Sequence, residues 1–395
     1  MRLPYLLLSI LLVVNLLIDL YIYLALRSYL RNRLWSRIQA WSAGAFALLW
    51  LLLLFTPVRS ISNTAFLWVM WILFTYASVY ISKIIFFVFD VLSRVPLLFK
   101  HNRWKWMTGV GTAITVAAFV IMWWGALVNR ISLNVEQVIY ANKDVPAAFN
   151  GFKIAQISDI HLSSFDGDTA FVHRMVERVN SLNPDIIVFT GDMTSRNSTE
   201  AEPYIKPLSR LHARYGVYSV FGNHDYGDYE TWTSPDAKAN DHEHLVSIQK
   251  QMGWHLLLDE TKQIVCNGDT LNLIGVENIS RPPYKTYGSL EKAYPTIGDN
   301  KFKVLLSHDP VHWQNDIQDN PNANIALTLS GHTHAMQIEL FGASPASAIH
   351  KYWSGLYTDK SGKSLYVNIG LGTVGYPARI GSATPEITLI TLKRI

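Results

Sequence analysis

The chain has 395 residues, of which 49% are hydrophobic and only 16% are charged. Average soluble proteins carry roughly 25% charged residues. Disordered chains contain fewer hydrophobic residues than folded ones. This composition excludes a disordered chain, and the single cysteine, Cys266, excludes a disulfide scaffold.

The charged residues divide the chain near residue 130. Residues 1–130 contain 12 Lys and Arg against 2 Asp and Glu, a net charge of +10. The other 22 basic and 28 acidic residues lie in residues 131–395, which carry a net charge of −6. An acidic second part without a basic stripe argues against nucleic acid as a partner. We therefore predict two domains, residues 1–130 and residues 131–395, and no nucleic-acid binding.

The first 130 residues contain four apolar stretches long enough to cross a bilayer. A membrane-spanning helix needs about 20 mostly apolar residues, because lipid offers its backbone no hydrogen-bond partners. The four stretches cover roughly residues 3–26, 38–56, 64–80 and beyond, and 107–128. A cleaved signal peptide fits poorly, because the first stretch is too long and three more follow it. The pattern predicts a four-helix transmembrane region.

Basic residues in the connecting loops predict how the spans are oriented. The loop between the second and third spans carries only Arg59, whereas the other two loops are strongly basic. Their basic residues are Arg27, Arg31, Arg33 and Arg37 in the first loop, and Arg94, Lys100, Arg103 and Lys105 in the last. Because basic loops stay in the cytoplasm, four spans place residues 131–395 outside it. We expect a multi-pass membrane protein with an extracytoplasmic domain.

Three charged residues, Asp19, Lys83 and Asp90, lie in or near the apolar stretches. We expect them at the cytoplasmic ends of the spans, with their charged groups reaching the lipid headgroups. The alternative is a buried polar site inside the helix bundle.

Residues 131–395 contain five short apolar runs, each followed at its carboxyl end by Asp, Asn or His. Helical patterns alternate with these runs, which is typical of α/β layers. The runs are residues 152–157 before Asp159 and His161, 186–189 before Asp192, 217–221 before Asn223, His224 and Asp225, 303–306 before His308, and 325–329 before His332 and His334. Ligands bind at the carboxyl ends of strands in open α/β sheets, so the five clusters are predicted to converge.

The residue types in these clusters are those of a metal centre. Carboxylate, amide oxygen and imidazole suit borderline divalent metals such as Mn, Fe or Zn, and the clusters contain no thiolate that would favour a soft metal. The seven candidate ligands are Asp159, His161, Asp192, Asn223, His308, His332 and His334. Zinc usually takes four ligands. Seven therefore predict two metal ions joined by one carboxylate and a bridging hydroxide, a pair that activates water and neutralises phosphoryl oxygens.

The order Asp-x-His, Gly-Asp, Gly-Asn-His-Asp, His and Gly-His-x-His resembles the calcineurin-like metallophosphoesterases, and within them the membrane-associated or exported branch. The resemblance covers residues 135–395 approximately, and includes residues 149–154 and the turn Gly370-Leu371-Gly372. It implies a two-sheet β-sandwich flanked by helices, here preceded by the four-helix transmembrane region. The implied activity is metal-dependent hydrolysis of a phosphomonoester or phosphodiester by a metal-bridged hydroxide.

The resemblance also implies a role for each site residue. Asp159, His161 and His334 would hold the first metal, Asn223, His308 and His332 would complete the second, and Asp192 would bridge both. His224 would contact the phosphate and protonate the leaving oxygen, which suits an imidazole with a pKa near neutrality. Asp225 would orient His224, and it is also a candidate for substrate binding. Apart from the resemblance, Arg379 is a candidate to pair with a substrate phosphate or, alternatively, a solvated surface charge.

Two further features leave alternatives open. This branch usually has two glycines after Gly-His-x-His, where this chain has Ala335 and Met336, so the backbone is expected to approach the site differently. Residues 340–357 are irregular and rich in apolar side chains such as Phe341. They either pack as core or a flap over the sheet, or form an apolar lip that accepts a lipid tail or docks on the bilayer.

The membrane region makes a lipid-linked or envelope-associated substrate the leading hypothesis. Two alternatives are a metal-binding sensor or regulatory module without turnover, and a transporter that the second domain regulates. The spans show no row of charges and no Gly/Pro-broken helices along a path, which favours an anchor over a transporter.

Overall fold

The computed structural model describes the backbone of residues 2–30 and 32–395, and the side chains of residues 9–30 and 32–395. Met1 of the predicted membrane region and Arg31 of its first basic loop lie outside these residues. The described chain divides into two compact units. The first contains the residues up to Ile61 and Trp68–Trp124, and the second contains Ser62–Leu67 and Gly125–Ile395.

Four long apolar helices precede residue 130. They are α1 (Arg2–Tyr29), α2 (Leu34–Leu54), α3 (Asn63–Leu92) and α4 (Lys105–Leu127). Each is long and apolar enough to cross a membrane, which confirms the predicted number of candidate spans. The third helix continues beyond residue 80 to Leu92, in agreement with the open end of the predicted stretch.

Asp19 is buried inside the first unit and Lys83 is mostly buried beside it, and this corrects the expectation that they reach the headgroups. Asp19 is only 3% exposed, and its carboxylate forms a 2.6 Å salt bridge with Lys83. The same carboxylate accepts hydrogen bonds from Gln39 Nε2 and the Tyr80 hydroxyl, both at 2.7 Å. Partners on neighbouring helices satisfy the charge within the bundle, so it has no need to reach water.

Asp90 is also buried, which corrects the same expectation. It accepts a 2.6 Å hydrogen bond from the Tyr21 hydroxyl and forms salt bridges with Arg94 at 3.2 Å and Arg103 at 2.9 Å. Two of the residues that make the last loop basic are therefore partners of a buried carboxylate.

The second unit contains fourteen strands and five further helices. The strands are β1 (Asn134–Ala141), β2 (Lys153–Ile157), β3 (Ile186–Phe189), β4 (Val217–Ser219), β5 (His255–Leu256), β6 (Glu260–Cys266), β7 (Asp269–Gly275), β8 (Lys303–Leu306), β9 (Leu327–Ser330), β10 (Ile338–Glu339), β11 (Gly355–Thr358), β12 (Ser364–Val367), β13 (Ile380–Gly381) and β14 (Glu386–Lys393). The helices are α5 (Ala170–Ser181), α6 (Ile205–Leu208), α7 (Pro235–Gln251), α8 (Leu290–Ala293) and α9 (Pro310–His312).

The strands form two six-stranded mixed sheets and one two-stranded sheet. The first sheet has the order β1-β14-β2-β3-β4-β5, with β2 to β5 parallel. The second has the order β11-β12-β9-β8-β7-β6, with β12, β9, β8 and β7 parallel, and β10 pairs with β13 in the small sheet. This confirms the predicted fold class of two sheets with flanking helices.

The two large sheets pack face to face. Ile154 and Val188 of the first sheet share a buried cluster with Val304 and Leu329 of the second. Ile187, which points to the opposite face of its strand, belongs to a second cluster with α5. Helix α5 buries Val172, Met175, Val176 and Val179, which lie on one face at helical spacing. Because both faces of the central strands are covered, these strands read as continuous apolar runs in the sequence.

We expect Asp19→Leu to destabilise the chain by about 3 kcal/mol, because it leaves the Lys83 ammonium without its partner inside the bundle. Replacing both residues with leucine removes both charges and is expected to cost much less. The thermal aggregation temperature of the detergent-solubilised full chain measures this, with the exposed Arg59→Leu as a control. A double variant that is as unstable as Asp19→Leu alone would contradict the pairing.

Candidate metal centre

The seven predicted ligands follow five strands whose carboxyl ends meet at one place. Strands β2, β3 and β4 of the first sheet lead to Asp159, His161, Asp192 and Asn223, and strands β8 and β9 of the second lead to His308, His332 and His334. The sequence predicted that these clusters converge, and the structure brings them together. The structure forms the site from the ends of two packed sheets.

Asp192 lies at the centre of this arrangement. Its Oδ2 atom is 3.6 Å from His161 Nε2 and 3.2 Å from His308 Nε2. Its Oδ1 atom accepts a 2.9 Å hydrogen bond from the backbone N–H of His224. One carboxylate oxygen is thus fixed by the protein, and the other faces a histidine on each side.

On one side of Asp192, three side chains form a compact group. The ligand atoms of Asp159, His161 and His334 all lie within 4.8 Å of one another. His334 Nε2 is 3.1 Å from Asp159 Oδ1 and 3.1 Å from His161 Nε2. All three side chains are buried, so they can hold a metal ion in this position.

On the other side, Asn223 Oδ1 is 2.8 Å from His332 Nδ1 and 3.2 Å from His308 Nε2. The two imidazole nitrogens are themselves 3.3 Å apart. Ligand atoms of Asp159, Asp192 and His308 also lie within 4.8 Å of one another. All seven predicted ligands therefore come together, in two groups with Asp192 between them.

The electrostatics of the site fit divalent cations. Burial alone would raise the pKa of Asp159, but His334 and His308 outweigh it and lower the pKa to about 2. Burial lowers the pKa of His161 well below its usual value, so its imidazole is neutral and can bind a metal. Burial also acts to lower the pKa of His308, yet the Asp192 carboxylate prevails and raises it to about 10. Ionised carboxylates in a dry pocket are costly without cations beside them.

Five of the seven ligands have a left-handed backbone. Their φ angles are 49° for Asp159, 44° for His161, 60° for Asp192, 74° for His332 and 51° for His334. Residues other than glycine seldom adopt this conformation, and those that do cluster at functional sites, where the surroundings hold them in place. No pattern in the sequence predicts this backbone strain.

Asp225 holds two of these loops together. Its buried carboxylate accepts backbone N–H bonds from Asp192 at 2.8 Å, Met193 at 2.9 Å, Thr194 at 3.0 Å and Gly222 at 3.0 Å. The loop after β3 is thereby fastened to the loop after β4. The carboxylate faces these N–H groups instead of the His224 imidazole or a substrate, and this differs from both predicted roles.

His224 lies beside the two groups and is held through one ring nitrogen. Nδ1 is 2.7 Å from the Ser195 carbonyl oxygen, and a carbonyl only accepts, so Nδ1 donates its proton there. The Tyr229 ring stacks on the imidazole with centroids 4.0 Å apart. Burial lowers the pKa of His224. Neither Ser195 nor Tyr229 belongs to a motif, so the sequence analysis missed both.

Arg379 is fully buried, which corrects both predicted placements, at a substrate phosphate and at the surface. Its guanidinium donates hydrogen bonds to the carbonyl oxygens of Gly372 at 2.9 Å, Ile369 at 3.0 Å and Ala383 at 3.3 Å. Its Nη2 is 3.3 Å from His334 Nδ1. Burial lowers the pKa of Arg379 to about 10. These contacts support the backbone around a ligand.

Two glycines of the motifs are required by close packing against ligand oxygens. A Cβ atom at Gly222 would lie 2.2 Å from Asp192 Oδ1, and one at Gly331 would lie 2.1 Å from Asp159 Oδ2. No side chain fits at either position, which explains why glycine precedes Asn223 and His332.

The turn after His334 shows how the chain accommodates Ala335 and Met336 in place of glycine. Residues His334 to Gln337 all have left-handed backbones, with φ of 49° at Ala335, 46° at Met336 and 56° at Gln337. Gln337 Oε1 accepts the Val374 N–H at 2.7 Å. The chain thus keeps a conformation that glycine would adopt without strain.

Comparison with known proteins agrees with this site. Residues 152–336 match the family described as "Calcineurin-like phosphoesterase", and residues 1–130 match "Probable Calcineurin-like phosphoesterase, transmembrane domain". The chain is 29% identical to the transmembrane protein with metallophosphoesterase domain of Danio rerio, over 83% of this chain and 74% of that protein. It is 31% identical to an uncharacterized metallophosphoesterase of Bacillus subtilis, over 63% of this chain and 82% of that one. It is 28% identical to the UDP-2,3-diacylglucosamine pyrophosphatase of Chlamydia trachomatis, over 71% of this chain and 97% of that one.

We expect Asp225→Asn to lower the free energy of unfolding by about 2 kcal/mol, because an amide NH₂ would face N–H groups that need an acceptor. The loops that carry Asp192 and Asn223 would separate, so bound metal per chain should fall as well. Thermal unfolding and elemental analysis measure the two effects, with the exposed Asp316→Asn as the control. Full metal content in Asp225→Asn would show that the loops do not depend on this carboxylate.

A second prediction concerns the turn after His334. Met336→Gly should raise the free energy of unfolding by about 1 kcal/mol, because it removes the cost of a left-handed backbone at a residue with a side chain. Leu340→Gly is the matched control, since Leu340 is similarly exposed and does not have a positive φ. Thermal midpoints in detergent compare the two, and equal or lower stability of Met336→Gly relative to Leu340→Gly would contradict the strain.

Proposed function

We propose that this chain, which belongs to the calcineurin-like phosphoesterase family of hydrolases, hydrolyses a phosphate ester carried by a lipid or another component of the cell envelope. The observation that carries the proposal is the position of Asp192, whose Oδ2 lies between His161 and His308. A carboxylate shared by two groups of ligands is the arrangement that a pair of metal ions requires.

Two divalent ions, of Mn, Fe or Zn, would occupy the two groups. Asp159, His161 and His334 would hold the first, Asn223, His308 and His332 the second, and Asp192 both. When bound, such a pair supplies an activated water and neutralises charge on the phosphoryl oxygens. The left-handed loops and the Asp225 carboxylate keep the seven ligand atoms in place, so little reorganisation is needed on binding.

His224 is the group that would protonate the leaving oxygen. Its Nδ1 proton is held by the Ser195 carbonyl, so when the imidazole is protonated its acidic proton is the one on Nε2, where a substrate oxygen can receive it. Burial lowers the pKa of this imidazole and therefore favours loss of that proton. The Tyr229 ring, stacked on the imidazole, restricts its rotation.

Three observations support a lipid-linked substrate. The chain aligns with almost the full length of a relative named as a UDP-2,3-diacylglucosamine pyrophosphatase, and it carries four helices able to cross a membrane. Within residues 340–357, Leu340, Phe341 and Ile349 are 42%, 104% and 54% exposed. Tyr352, in contrast, is buried in a core cluster. The segment therefore combines core packing with an exposed apolar surface a few residues after His334.

The loop charges support an extracytoplasmic position of the catalytic unit, because the loops after the first and third spans carry most of the basic residues. Protease accessibility of residues 131–395 in intact cells tests this orientation. Cleavage only after the cells are opened would reverse it.

The test of the reaction uses the purified full chain with Mn, Fe or Zn. His224→Ala should lower kcat about 100-fold on an alkyl phosphodiester, whose poor leaving group needs a proton. The loss should be much smaller on an aryl phosphodiester, whose leaving group departs as an anion. Asp192→Asn should lose bound metal and activity on both substrates, and the exposed His212→Ala is the control.

Failure of the wild-type chain to hydrolyse any phosphate ester with these three metals would leave a sensor or regulatory module as the function. The substrate class is decided by comparing kcat/KM for lipid-linked diphosphates, phospholipids and soluble nucleotides in detergent. Equal values for soluble and lipid-linked esters would remove the lipid from the proposal.

A further inference from the structure

A short segment far from the motifs belongs to the catalytic unit. Ser62–Leu67 covers the beginning of the third predicted span in the sequence, yet it packs with residues 125–395 in the second compact unit. The segment includes the first turn of α3, which begins at Asn63. The sequence offered no reason to connect it with the metal centre.

Asn63 forms a reciprocal pair of hydrogen bonds with Asn197. Each side-chain amide donates to the oxygen of the other, at 3.1 Å in both directions. Asn197 also donates to Glu230 Oε2 at 3.1 Å. The neighbouring Thr64 makes a different contact, a 3.1 Å hydrogen bond to the exposed residue Asp166.

Phe66 contacts the same loop through Arg196. The Arg196 guanidinium lies over the Phe66 ring, 4.7 Å from its centroid, and forms a 2.7 Å salt bridge with Glu230. Arg196 is almost fully buried, and a cation–π contact is stronger when the cation is desolvated in this way. Two residues of the segment therefore hold two consecutive residues of one loop.

Ser195, the residue of that loop just before Arg196, touches two histidines of the site. The Ser195 carbonyl accepts the Nδ1 proton of His224 at 2.7 Å, and Ser195 Oγ is 3.2 Å from His161 Nδ1. The other nitrogen of His161 faces Asp192 and His334. Such contacts to the outer nitrogen set the orientation and tautomer of a metal-binding imidazole.

We infer that Asn63 and Phe66 are positioning residues for His161 and His224, which they reach through Ser195, Arg196 and Asn197. The inference rests on the proposed function, since it assigns these residues a part in the same reaction. The polypeptide runs on from this segment into the rest of α3. A part of the chain far before the catalytic motifs therefore shapes the loop that fixes the two imidazoles.

The test compares four variants of the full chain in detergent. Phe66→Leu keeps an apolar side chain but removes the ring, and Phe66→Tyr keeps the ring. Phe66→Leu and Asn63→Ala should each lower kcat about tenfold with KM little changed, as loss of an outer contact to a metal-binding histidine does. Phe66→Tyr should retain wild-type kcat. Thr64→Ala is the matched control, because its partner lies outside this loop, and should also be unchanged.

Hydrogen exchange of residues 194–197 provides a readout that does not depend on turnover. Exchange there should rise in Phe66→Leu and Asn63→Ala, and stay at the wild-type level in Thr64→Ala. Wild-type kcat in Phe66→Leu, equal losses in Phe66→Leu and Phe66→Tyr, or an equal loss in Thr64→Ala would each overturn the inference. Absence of hydrolysis by the wild-type chain would count against the proposed function, and hydrogen exchange would still show whether the segment holds the loop.

Discussion

The burial of two carboxylates, Asp159 and Asp192, beside a cluster of imidazoles is the constraint on which the rest of the structure depends. Buried anions lose their hydration and repel each other, so they persist only where cations or protons compensate them. The protein supplies part of this compensation through N–H groups, such as that of His224 to Asp192. The remaining oxygens face the histidines, and this residual negative charge suits the pocket to divalent cations.

Holding these groups together requires a backbone under strain. Five ligands have left-handed φ angles, and two glycines lie where no Cβ atom fits. The strain is balanced by buried polar groups that lie outside the predicted ligand set. Asp225 connects two loops, and Arg379 lies behind His334. Both charged groups form hydrogen bonds with the backbone. Residues that the sequence suggests for binding substrate or orienting His224 therefore hold loops in place.

The sequence predicted that the seven side chains converge because each follows a buried strand, and the carboxyl ends of parallel strands meet whatever the details of the loops. It could not predict the partners of the charged residues. Asp19, Lys83 and Asp90 were expected at the headgroups because they lie toward the ends of the spans. Their actual partners are on other helices, at separations of up to about 70 residues, and such pairings leave no pattern in the sequence. The same holds for Arg379 and Asp225, whose burial depends on how loops from distant parts of the chain pack.

The loop Ser195–Asn197 lies between two histidines of the site and a segment that is far away in the sequence. On one side the loop contacts His161 and His224, and on the other it contacts Asn63 and Phe66, at the start of the third apolar helix. All of these residues belong to the second compact unit. Since the contacts include a buried guanidinium and a reciprocal amide pair, they impose one position on the loop. The geometry of the two histidines is therefore tied to this distant segment.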